Sequence, residues 1–215
     1  MKSFIVIGLG RFGTEAAMSL TRQGCEVLAI DTDGDLVQQV SDYVTQAVVA
    51  DARDKEVLRA LDAKSFDCGI VAIGDSLGDS VLATMNLKEL NVPYIVCKAH
   101  DDTHCQVLKK LGADRVVIPE KENADRLAKS LASVNVLEYI ELSEDYGIIE
   151  IPVPTPWLDK SLIELNVRAK LGLNILAVKR QADIMVSPAA DFRMEKGDVL
   201  VVLGNNEALE AMQKL

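Results

Sequence analysis

The sequence predicts an α/β protein, in which a Rossmann-type doubly wound parallel sheet is followed by a small α+β lobe. Three observations support this class. Short apolar runs alternate with longer amphipathic segments through the first half of the chain. A glycine-rich loop follows the first apolar run, and this is the position of the glycine-rich loop in nucleotide-binding α/β units. After residue 118 the alternation stops: one longer helical pattern follows, and then shorter elements with closely spaced prolines.

Six short apolar runs, rich in β-branched residues, are typical of strands buried on both faces of a parallel sheet. They cover residues 4–7, 26–30, 46–50, 69–73, 94–98 and 115–118. Helical patterns lie between them, at residues 13–23, 35–43, 54–61, 78–90 and 103–111. Strands that alternate with helices predict a parallel sheet joined by crossover helices.

The second half begins with one longer helical pattern and continues with mixed elements. Strands are predicted at 137–142, 147–153, 174–180, 184–187 and 198–204, and helices at 119–136, 161–165 and 207–214. We therefore predict two domains, residues 1–136 and 137–215, with a connecting helix at about 120–136.

Composition excludes several classes of function. The 215-residue chain has a formal net charge of -10, which argues against a protein that coats nucleic acid. No pair of its four cysteines has zinc-finger spacing, so we expect reduced thiols in a cytosolic protein. No apolar run approaches the length needed to span a bilayer, and we expect a soluble chain.

The first loop has the glycine spacing of a dinucleotide-binding turn. Gly8 suits the tight turn after the strand, Gly10 lets the backbone approach a phosphate, and Gly13 lets the first helix pack closely on the sheet. The N-terminus of that helix then presents amide groups and a positive dipole end to the phosphates. The loop follows a predicted strand and opens a predicted helix, and this context makes nucleotide binding a strong prediction.

Acidic residues follow the second and third strands. Asp31 is expected to accept hydrogen bonds from ribose hydroxyls, and with Asp33 it disfavours a 2′-phosphate and hence NADP. Asp51, beside Ala52, either accepts a hydrogen bond from an adenine amino group or caps the helix that starts near Asp54. The predicted site also includes neighbouring residues in the loop and at the strand ends: Leu9, Phe12, Thr32, Ile73, Gly74 and Asp75.

Catalysis is not indicated by these residues. The only histidines are His100 and His104, and His104 has the helical spacing of a surface or half-buried residue. His100 follows the fifth strand at the cleft and is the better candidate for a base, as an NAD-dependent oxidoreductase would need. No arrangement typical of a nucleophile with its base, or of a metal site, accompanies it.

The chain resembles the RCK (regulator of K+ conductance) family, with its TrkA-N and TrkA-C domains, and most closely the gating subunits of Ktr-type potassium uptake systems. The stretches that carry the resemblance are FIVIGLGRFG, AIDTD, VVADARD, IVAIGDS, VCKAHD, LGADRVVIPEKENADRLAKSL, NVLEYIELS and LNVRAKLGLNILAVKR. The resemblance implies a non-enzymatic cytoplasmic sensor in which ATP and ADP compete for the cleft. It also implies homodimers that assemble into an octameric ring on a membrane ion-translocating subunit. Trk-type or efflux-type relatives that prefer NAD or NADH are the alternative.

The resemblance also gives roles to three charged residues. Arg11, inside the glycine loop, is expected to reach the terminal phosphate of ATP, and Lys98 to add a second positive charge. Glu120 is expected to help hold Mg2+ or Ca2+ against that phosphate, with a second subunit completing the shell. The alternatives are a surface ion pair from Arg11 to Glu15 and a favourable helix-start charge at Glu120.

The C-terminal lobe carries a second implied site. In some members of the family the groove between two such lobes binds cyclic di-AMP. The corresponding residues of this chain are Ile163, Arg168, Ala169, Asn174, Ile175 and Pro188. Arg168 is expected to meet a phosphate, and Asn174 and Ala169 an adenine. The alternative is that Arg168 and Asn174 only cap elements and form pairs within the lobe.

Overall fold

The computed structural model describes residues 1–74, 76–132, 137–143 and 145–215. The described chain divides into two compact units, Met1–Glu122 and Asn123–Leu215. This division falls inside the predicted connecting helix. The predicted boundary between residues 136 and 137 stays a prediction, since residues 133–136 lie outside the described part of the chain.

The first unit is built on a six-stranded sheet. Its strands are β1 (Ser3–Ile7), β2 (Glu26–Asp31), β3 (Gln46–Val49), β4 (Cys68–Val71), β5 (Ile95–Lys98) and β6 (Arg115–Val117). All neighbours pair in parallel, in the order β3-β2-β1-β4-β5-β6. The strand order reverses between β1 and β4, and ligands of such sheets bind in the crevice at this point. The predicted fold class is confirmed.

Helices connect the strands of this sheet and cover its faces. They are α1 (Arg11–Arg22), α2 (Gly34–Val40), α3 (Lys55–Ala60), α4 (Leu77–Glu89) and α5 (Asp102–Lys110). A sixth helix, α6 (Pro119–Ala132), follows β6, and the boundary between the two units falls within it. Alternate residues of β1 enter two different hydrophobic clusters, Ile5 and Ile7 in one and Val6 in the other. The sheet is therefore buried on both faces, as its continuous apolar strands predict.

The second unit contains a five-stranded antiparallel sheet. Its elements are β7 (Glu138–Glu141), β8 (Tyr146–Pro152), α7 (Leu162–Leu165), α8 (Val167–Leu171), β9 (Asn174–Arg180), β10 (Asp183–Val186), β11 (Val199–Asn205) and α9 (Asn206–Gln213). The strand order is β10-β9-β11-β8-β7. A separate core lies against this sheet and includes Trp157, the single tryptophan of the chain.

Most element ends agree with the predicted ends to within two residues, and two elements differ. The helix predicted at 35–43 ends at Val40 and continues as a 3-10 turn, Ser41–Tyr43. Helix α8 was not predicted. Asn166 adopts a left-handed conformation (φ 46°), which ends α7 and lets a second short helix begin at the next residue. In the described part of the chain, no helix combines the length and apolar character needed to cross a bilayer.

Candidate functional site

The glycine loop between β1 and α1 has the geometry that its sequence requires. Gly8 has φ +92°, and its N–H donates to the Ile30 carbonyl at 2.8 Å. A Cβ at Gly13 would lie 1.8 Å from the Gly8 carbonyl oxygen, so only glycine lets α1 approach the loop this closely. A Cβ at Gly10 would meet no atom within 4 Å, and Gly10 lines the cleft. The open space above Gly10 is where a phosphate can approach the backbone.

Helix α1 begins without a side-chain cap. Gly10 occupies the N-cap position, and the first helical backbone bond at this end runs from the Thr14 N–H to the Gly10 carbonyl, at 3.0 Å. The N–H groups of the first turn have no carbonyl partners within the helix, as at every helix start. With the positive end of the helix dipole, they form a site suited to an anionic group.

Asp31 ties the glycine loop to the end of β2. Its Oδ2 accepts a hydrogen bond from the Leu9 N–H at 2.6 Å, and its Oδ1 accepts from the Asp33 N–H at 2.9 Å. Asp33 in turn caps α2 by accepting from the Asp35 N–H at 2.9 Å. Asp31 keeps further acceptor positions on its two oxygens, so a ribose hydroxyl can still donate to it.

A cleft of about 390 Å³ lies at the carboxyl ends of β1, β2, β3 and β4. The predicted residues that line it are Gly8, Gly10, Asp31, Thr32, Asp33, Asp51, Ala52, Ile73 and Gly74. The other predicted residues described by the structure lie outside this lining: Leu9, Arg11, Phe12, Gly13, Lys98 and Glu120. Asp75 lies outside the described residues. The structure thus gathers nine predicted residues around one cleft.

The cleft also contains residues that sequence reasoning missed. Arg53, Ser76 and Asp79 line it, and Arg53 forms ion pairs with Asp51 and Asp79. The ADARD segment places Arg53 two residues after Asp51, a spacing that allows the two side chains to meet. The contact to Asp79 joins positions 26 residues apart and has no signal in the sequence.

The interpretation of Asp51 as a helix cap is wrong. Helix α3 is capped by Asp54, whose side chain accepts a hydrogen bond from the Glu56 N–H at 2.8 Å. The Asp51 carboxylate instead binds Arg53, and hydrogen bonds from the Arg53 side chain hold the pKa of Asp51 below its usual value. Asp54 lies three residues beyond Asp51 and takes the cap because it is directly before the first helical residue.

Lys98 and Glu120 form an ion pair at the ends of β5 and β6. The Lys98 Nζ donates to Glu120 Oε1 at 2.8 Å, and the Lys98 side chain is 16% exposed. The Lys98 ammonium passes over Gly74, where a Cβ would lie 3.3 Å from the Nζ atom. The pKa of Glu120 is lowered mainly by the Lys98 hydrogen bond, with smaller contributions that include the charge of Arg11. Positive charge therefore gathers beside the glycine loop.

The alternative partner proposed for Arg11 is wrong. Glu15 pairs with Arg22, at 4.0 Å, about two helical turns further along α1. Among the described residues no hydrogen bond or ion pair engages the exposed Arg11 guanidinium, and its charge acts on Glu120 from a distance. Arg11 therefore keeps its donors free for a ligand.

A divalent cation finds few ligands in a single chain. Within the described residues, no group of three or more His, Cys, Asp or Glu side chains is placed to hold a metal. Glu120, the predicted ligand, directs one oxygen to Lys98. A cation at Glu120 therefore needs further oxygen atoms from a nucleotide or from a second subunit.

His104 is fully buried, which corrects its interpretation as a surface or half-buried residue. Its Nδ1 lies 2.9 Å from Nδ1 of the exposed His100, whose Nε2 lies 3.1 Å from Asp101. The Nε2 atom of His104 has no hydrogen-bond partner among the described residues. Burial lowers the pKa of His104, and the charge of His100 lowers it further. His100 is thus engaged by its neighbours at the start of α5.

This histidine pair predicts a loss of stability in mild acid. The unfolded chain protonates His104 near its ordinary pKa of 6.5, whereas the folded chain resists protonation until a lower pH. Stability is therefore present above pH 6.5 and is lost as the pH falls below it, by at most about 1.4 kcal/mol per pH unit. Urea unfolding at pH 7.5, 6.5 and 5.5 measures this slope.

A substitution separates His104 from other sources of pH dependence. His104→Asn keeps a polar group near the Nδ1 position but cannot titrate, so we expect its slope between pH 7.5 and 5.5 to be much smaller. His100→Asn is the comparison variant, because it removes the smaller cause of the lowered His104 pKa and leaves burial, the larger cause, in place. Its slope should therefore stay closer to that of the parent than to that of His104→Asn. An unaltered slope in His104→Asn would contradict the interpretation.

The second unit contains a separate, shallower groove of about 180 Å³. Three residues of the predicted cyclic di-AMP site line it, namely Arg168, Asn174 and Ile175, together with Asn166. Ile163, Ala169 and Pro188 lie outside this lining, and Ile163 is strongly exposed. Arg168 is exposed and forms no ion pair with another described residue. The groove therefore presents a free cation beside an amide side chain.

Comparison with known proteins identifies the family. The family model for the TrkA-N domain matches residues 4–119, and that for the TrkA-C domain matches residues 147–215. The chain is 42% identical over 213 residues to the Ktr system potassium uptake protein C of Bacillus subtilis. It is 43% identical over 212 residues to protein A of the same organism. Each alignment covers 99% of this chain and 96% of the relative.

Solved structures show the same fold. The crystal structure of the GsuK RCK domain has a TM-score of 0.68 and 22% sequence identity, and the match covers all of this chain and 47% of that chain. At this identity the likeness concerns the fold alone. The family models and the two Bacillus relatives together show that the chain belongs to the TrkA-N and TrkA-C domain family, which includes the Ktr system potassium uptake proteins A and C.

Proposed function

We propose that the chain is a non-enzymatic regulatory subunit that senses adenine nucleotides and gates a membrane potassium transporter. The observation that carries this proposal is the 42–43% sequence identity to Ktr potassium uptake proteins, over nearly the full length of this chain and of each relative. The partner is a membrane ion-translocating subunit of the Ktr or Trk type. The chain itself forms homodimers that assemble into an octameric ring at the cytoplasmic face of the membrane.

The cleft supports a nucleotide as the regulatory ligand. The open backbone at Gly10 and the uncapped start of α1 suit phosphates, and Asp31 keeps acceptors for ribose hydroxyls. Asp31 and Asp33 oppose a 2′-phosphate. ATP and ADP are the proposed ligands, and NAD or NADH is the alternative, as in a Trk-type or efflux-type regulator. An NAD-dependent oxidoreductase is less favoured, because His100 is engaged by His104 and Asp101.

Discrimination between ATP and ADP is assigned to the positive charges beside the loop. Arg11 has free donors, and Lys98 is held beside Gly74 by Glu120. The additional phosphate of ATP attracts both cations and competes with Glu120 for Lys98. Glu120, once released, joins that phosphate in holding Mg2+ or Ca2+. A ligand shifts a conformational equilibrium only by its differential affinity for the two states, and contacts made by ATP alone supply such a difference.

Arg11→Ala tests this assignment. We expect ATP affinity to fall about 10- to 100-fold and ADP affinity by less than about 3-fold, because a hydrogen bond to a charged group contributes about 1.5–3 kcal/mol. Isothermal titration with ATP, ADP, NAD+ and NADH, with and without Mg2+ or Ca2+, measures the change.

The matched control is Arg22→Ala, an exposed arginine at the other end of the same helix. It should bind both nucleotides like the parent. Equal losses of ATP and ADP affinity in Arg11→Ala would remove the phosphate-sensing role. Tightest binding of NADH by the parent, with no change in Arg11→Ala, would favour the redox-sensing alternative.

The groove of the second unit favours a second ligand. We propose that it takes part in binding cyclic di-AMP, with Arg168 meeting a phosphate and Asn174 an adenine. Arg168 is exposed and forms no ion pair with the residues that the structure describes, which supports this over a purely internal role. Titration of the full chain with cyclic di-AMP tests it, and the absence of binding at high micromolar ligand would remove this proposal.

A further inference from the structure

Arg53 joins two walls of the nucleotide cleft. It lies between β3 and α3, and its Nη1 reaches Asp79 on α4 at 3.2 Å. Its Nε and Nη2 donate to both oxygens of Asp51, with the shortest contact at 2.7 Å. All three residues line the cleft. The Asp51–Arg53–Asp79 bridge therefore connects the segment after β3 with the start of α4 in the wall of the cleft.

The bridge changes what Asp51 can do for a ligand. Its Oδ1 accepts from the Arg53 backbone N–H and Nε, both at 2.9 Å, and its Oδ2 accepts from Nε and Nη2. Both oxygens thus face the guanidinium. An adenine amino group would have to compete with these charge-assisted hydrogen bonds, which are stronger than neutral ones. Asp51 is a poor candidate for direct contact with a base.

Arg53 keeps the means to contact a base itself. Its side chain is 47% exposed, and it is the one cationic side chain among the described residues that line the cleft. The hydrogen bonds to Asp51 and Asp79 use Nε and one N–H on each terminal nitrogen, which leaves two N–H groups and the flat face of the guanidinium. A planar guanidinium held by two carboxylates is well suited to stack on an aromatic ring.

We propose that Arg53, held by Asp51 and Asp79, is the residue of this wall that contacts the base of the bound nucleotide, and that it does so by stacking. This inference rests on the proposed nucleotide-sensing function and assigns its base-binding end. Stacking acts on any purine ring. The site therefore discriminates weakly at purine position 6, where adenine has an amino group and hypoxanthine a carbonyl oxygen.

Titration of the unmodified protein with ATP and inosine triphosphate is the first test. If Arg53 stacks on the base, the two affinities should agree within about 5-fold. If the Asp51 carboxylate instead accepts a hydrogen bond from the amino group, the carbonyl oxygen faces a carboxylate and the affinity should fall about 10- to 100-fold. The larger loss would overturn the proposal.

Variants of Arg53 provide the second test. Arg53→Ala should weaken ATP, ADP and inosine triphosphate in parallel, by about 5- to 30-fold, because the contact is remote from the phosphates. Arg53→Lys should lose nearly as much, since lysine keeps the charge but lacks the planar group. If Arg53→Lys bound the nucleotides as tightly as the parent, Arg53 would act only through its positive charge, and the proposal would be overturned. Arg59→Ala, on the exposed side of α3, is the matched control.

These outcomes are distinct from a failure of the proposed function. If the parent binds ATP and ADP, and Arg11→Ala changes their ratio while Arg53→Ala changes nothing, only the base-stacking role is wrong. If the parent binds neither ATP nor ADP, the nucleotide-sensing function fails and the role of Arg53 fails with it. Urea unfolding of Arg53→Ala and Arg59→Ala checks that both variants fold like the parent.

Discussion

Gly13→Ala is expected to destabilise the first unit by about 3 kcal/mol or more and to weaken nucleotide binding at least about 10-fold. A Cβ at this position would lie 1.8 Å from the Gly8 carbonyl oxygen and 3.1 Å from the Ala72 Cβ. The first contact is with backbone, so the loop or the start of α1 must move. Because the loop and the helix start form the phosphate end of the cleft, stability and binding should be lost together.

Two other glycines provide the controls. A Cβ at Gly78, near the start of α4, meets no atom within 4 Å, so Gly78→Ala should be neutral or stabilise by up to about 1 kcal/mol. Gly10→Ala should also fold normally, but its methyl group enters the cleft and should weaken nucleotide binding. Far-UV circular dichroism in urea and nucleotide titration measure the two effects. A Gly13→Ala variant as stable as Gly78→Ala would contradict the expected steric conflict.

Asp198→Asn is expected to destabilise the second unit by about 3–5 kcal/mol. Asp198 is 1% exposed, and its two oxygens accept from Nε and Nη2 of Arg180 at 2.7 and 2.8 Å. Its Oδ2 also accepts from the Glu195 N–H at 2.8 Å. An asparagine presents an N–H2 group to these donors. The change leaves a partly buried arginine without its main counter-charge.

The single tryptophan makes this loss easy to follow. Trp157 is buried in the core of the second unit, so its fluorescence in urea reports on that unit. Glu210→Gln is the matched control, because Glu210 is exposed on α9 of the same unit and should change stability by less than about 0.5 kcal/mol. Equal unfolding curves for the two variants would show that the Arg180–Asp198 pair contributes little.

The same pair predicts a loss of stability in acid. The Arg180 hydrogen bonds hold the pKa of Asp198 below its ordinary value of 3.8. The stability that the pair contributes is therefore present above about pH 4 and is lost as the pH falls through the lowered pKa. The loss due to His104 begins near pH 6.5, above the pH at which the loss due to Asp198 begins, and the His104→Asn variant separates the two.

The order of strands and helices was predictable because burial imposes a periodicity on the sequence. The six strands of the first sheet are continuous apolar runs, because both faces of a strand in a covered parallel sheet contact apolar residues. The glycine loop was predictable for a similar reason. Any residue with a Cβ at position 13 would clash with the Gly8 carbonyl oxygen, so the close packing of α1 on the loop requires glycine there. Helix α8 was missed because its start depends on the left-handed conformation of Asn166, which the sequence allows but does not require.

The contacts around the cleft were less predictable, because the ion-pair partners of charged side chains depend on which distant residues the fold brings together. Asp51 was expected to face a base or to cap α3; the cap is Asp54, and the ion pair of Asp51 with Arg53 was not predicted. The bridge from Arg53 to Asp79 forms only because the sheet brings the end of β3 and the start of α4 to the same cleft. The burial of His104 was unpredictable for the same reason. Helical spacing shows which residues share a face of α5, but not which neighbouring elements cover that face.

The hydrogen bonds that the Leu9 N–H donates to Asp31 and the Gly8 N–H donates to the Ile30 carbonyl have a consequence for kinetics. They order the glycine loop before any ligand arrives, so binding does not include the conformational entropy cost of ordering it. Association through such a pre-organised loop needs no slow rearrangement, and ligands that share a phosphate chain should enter at similar rates. Differences in affinity between ATP and ADP should then reside in how long each nucleotide stays bound.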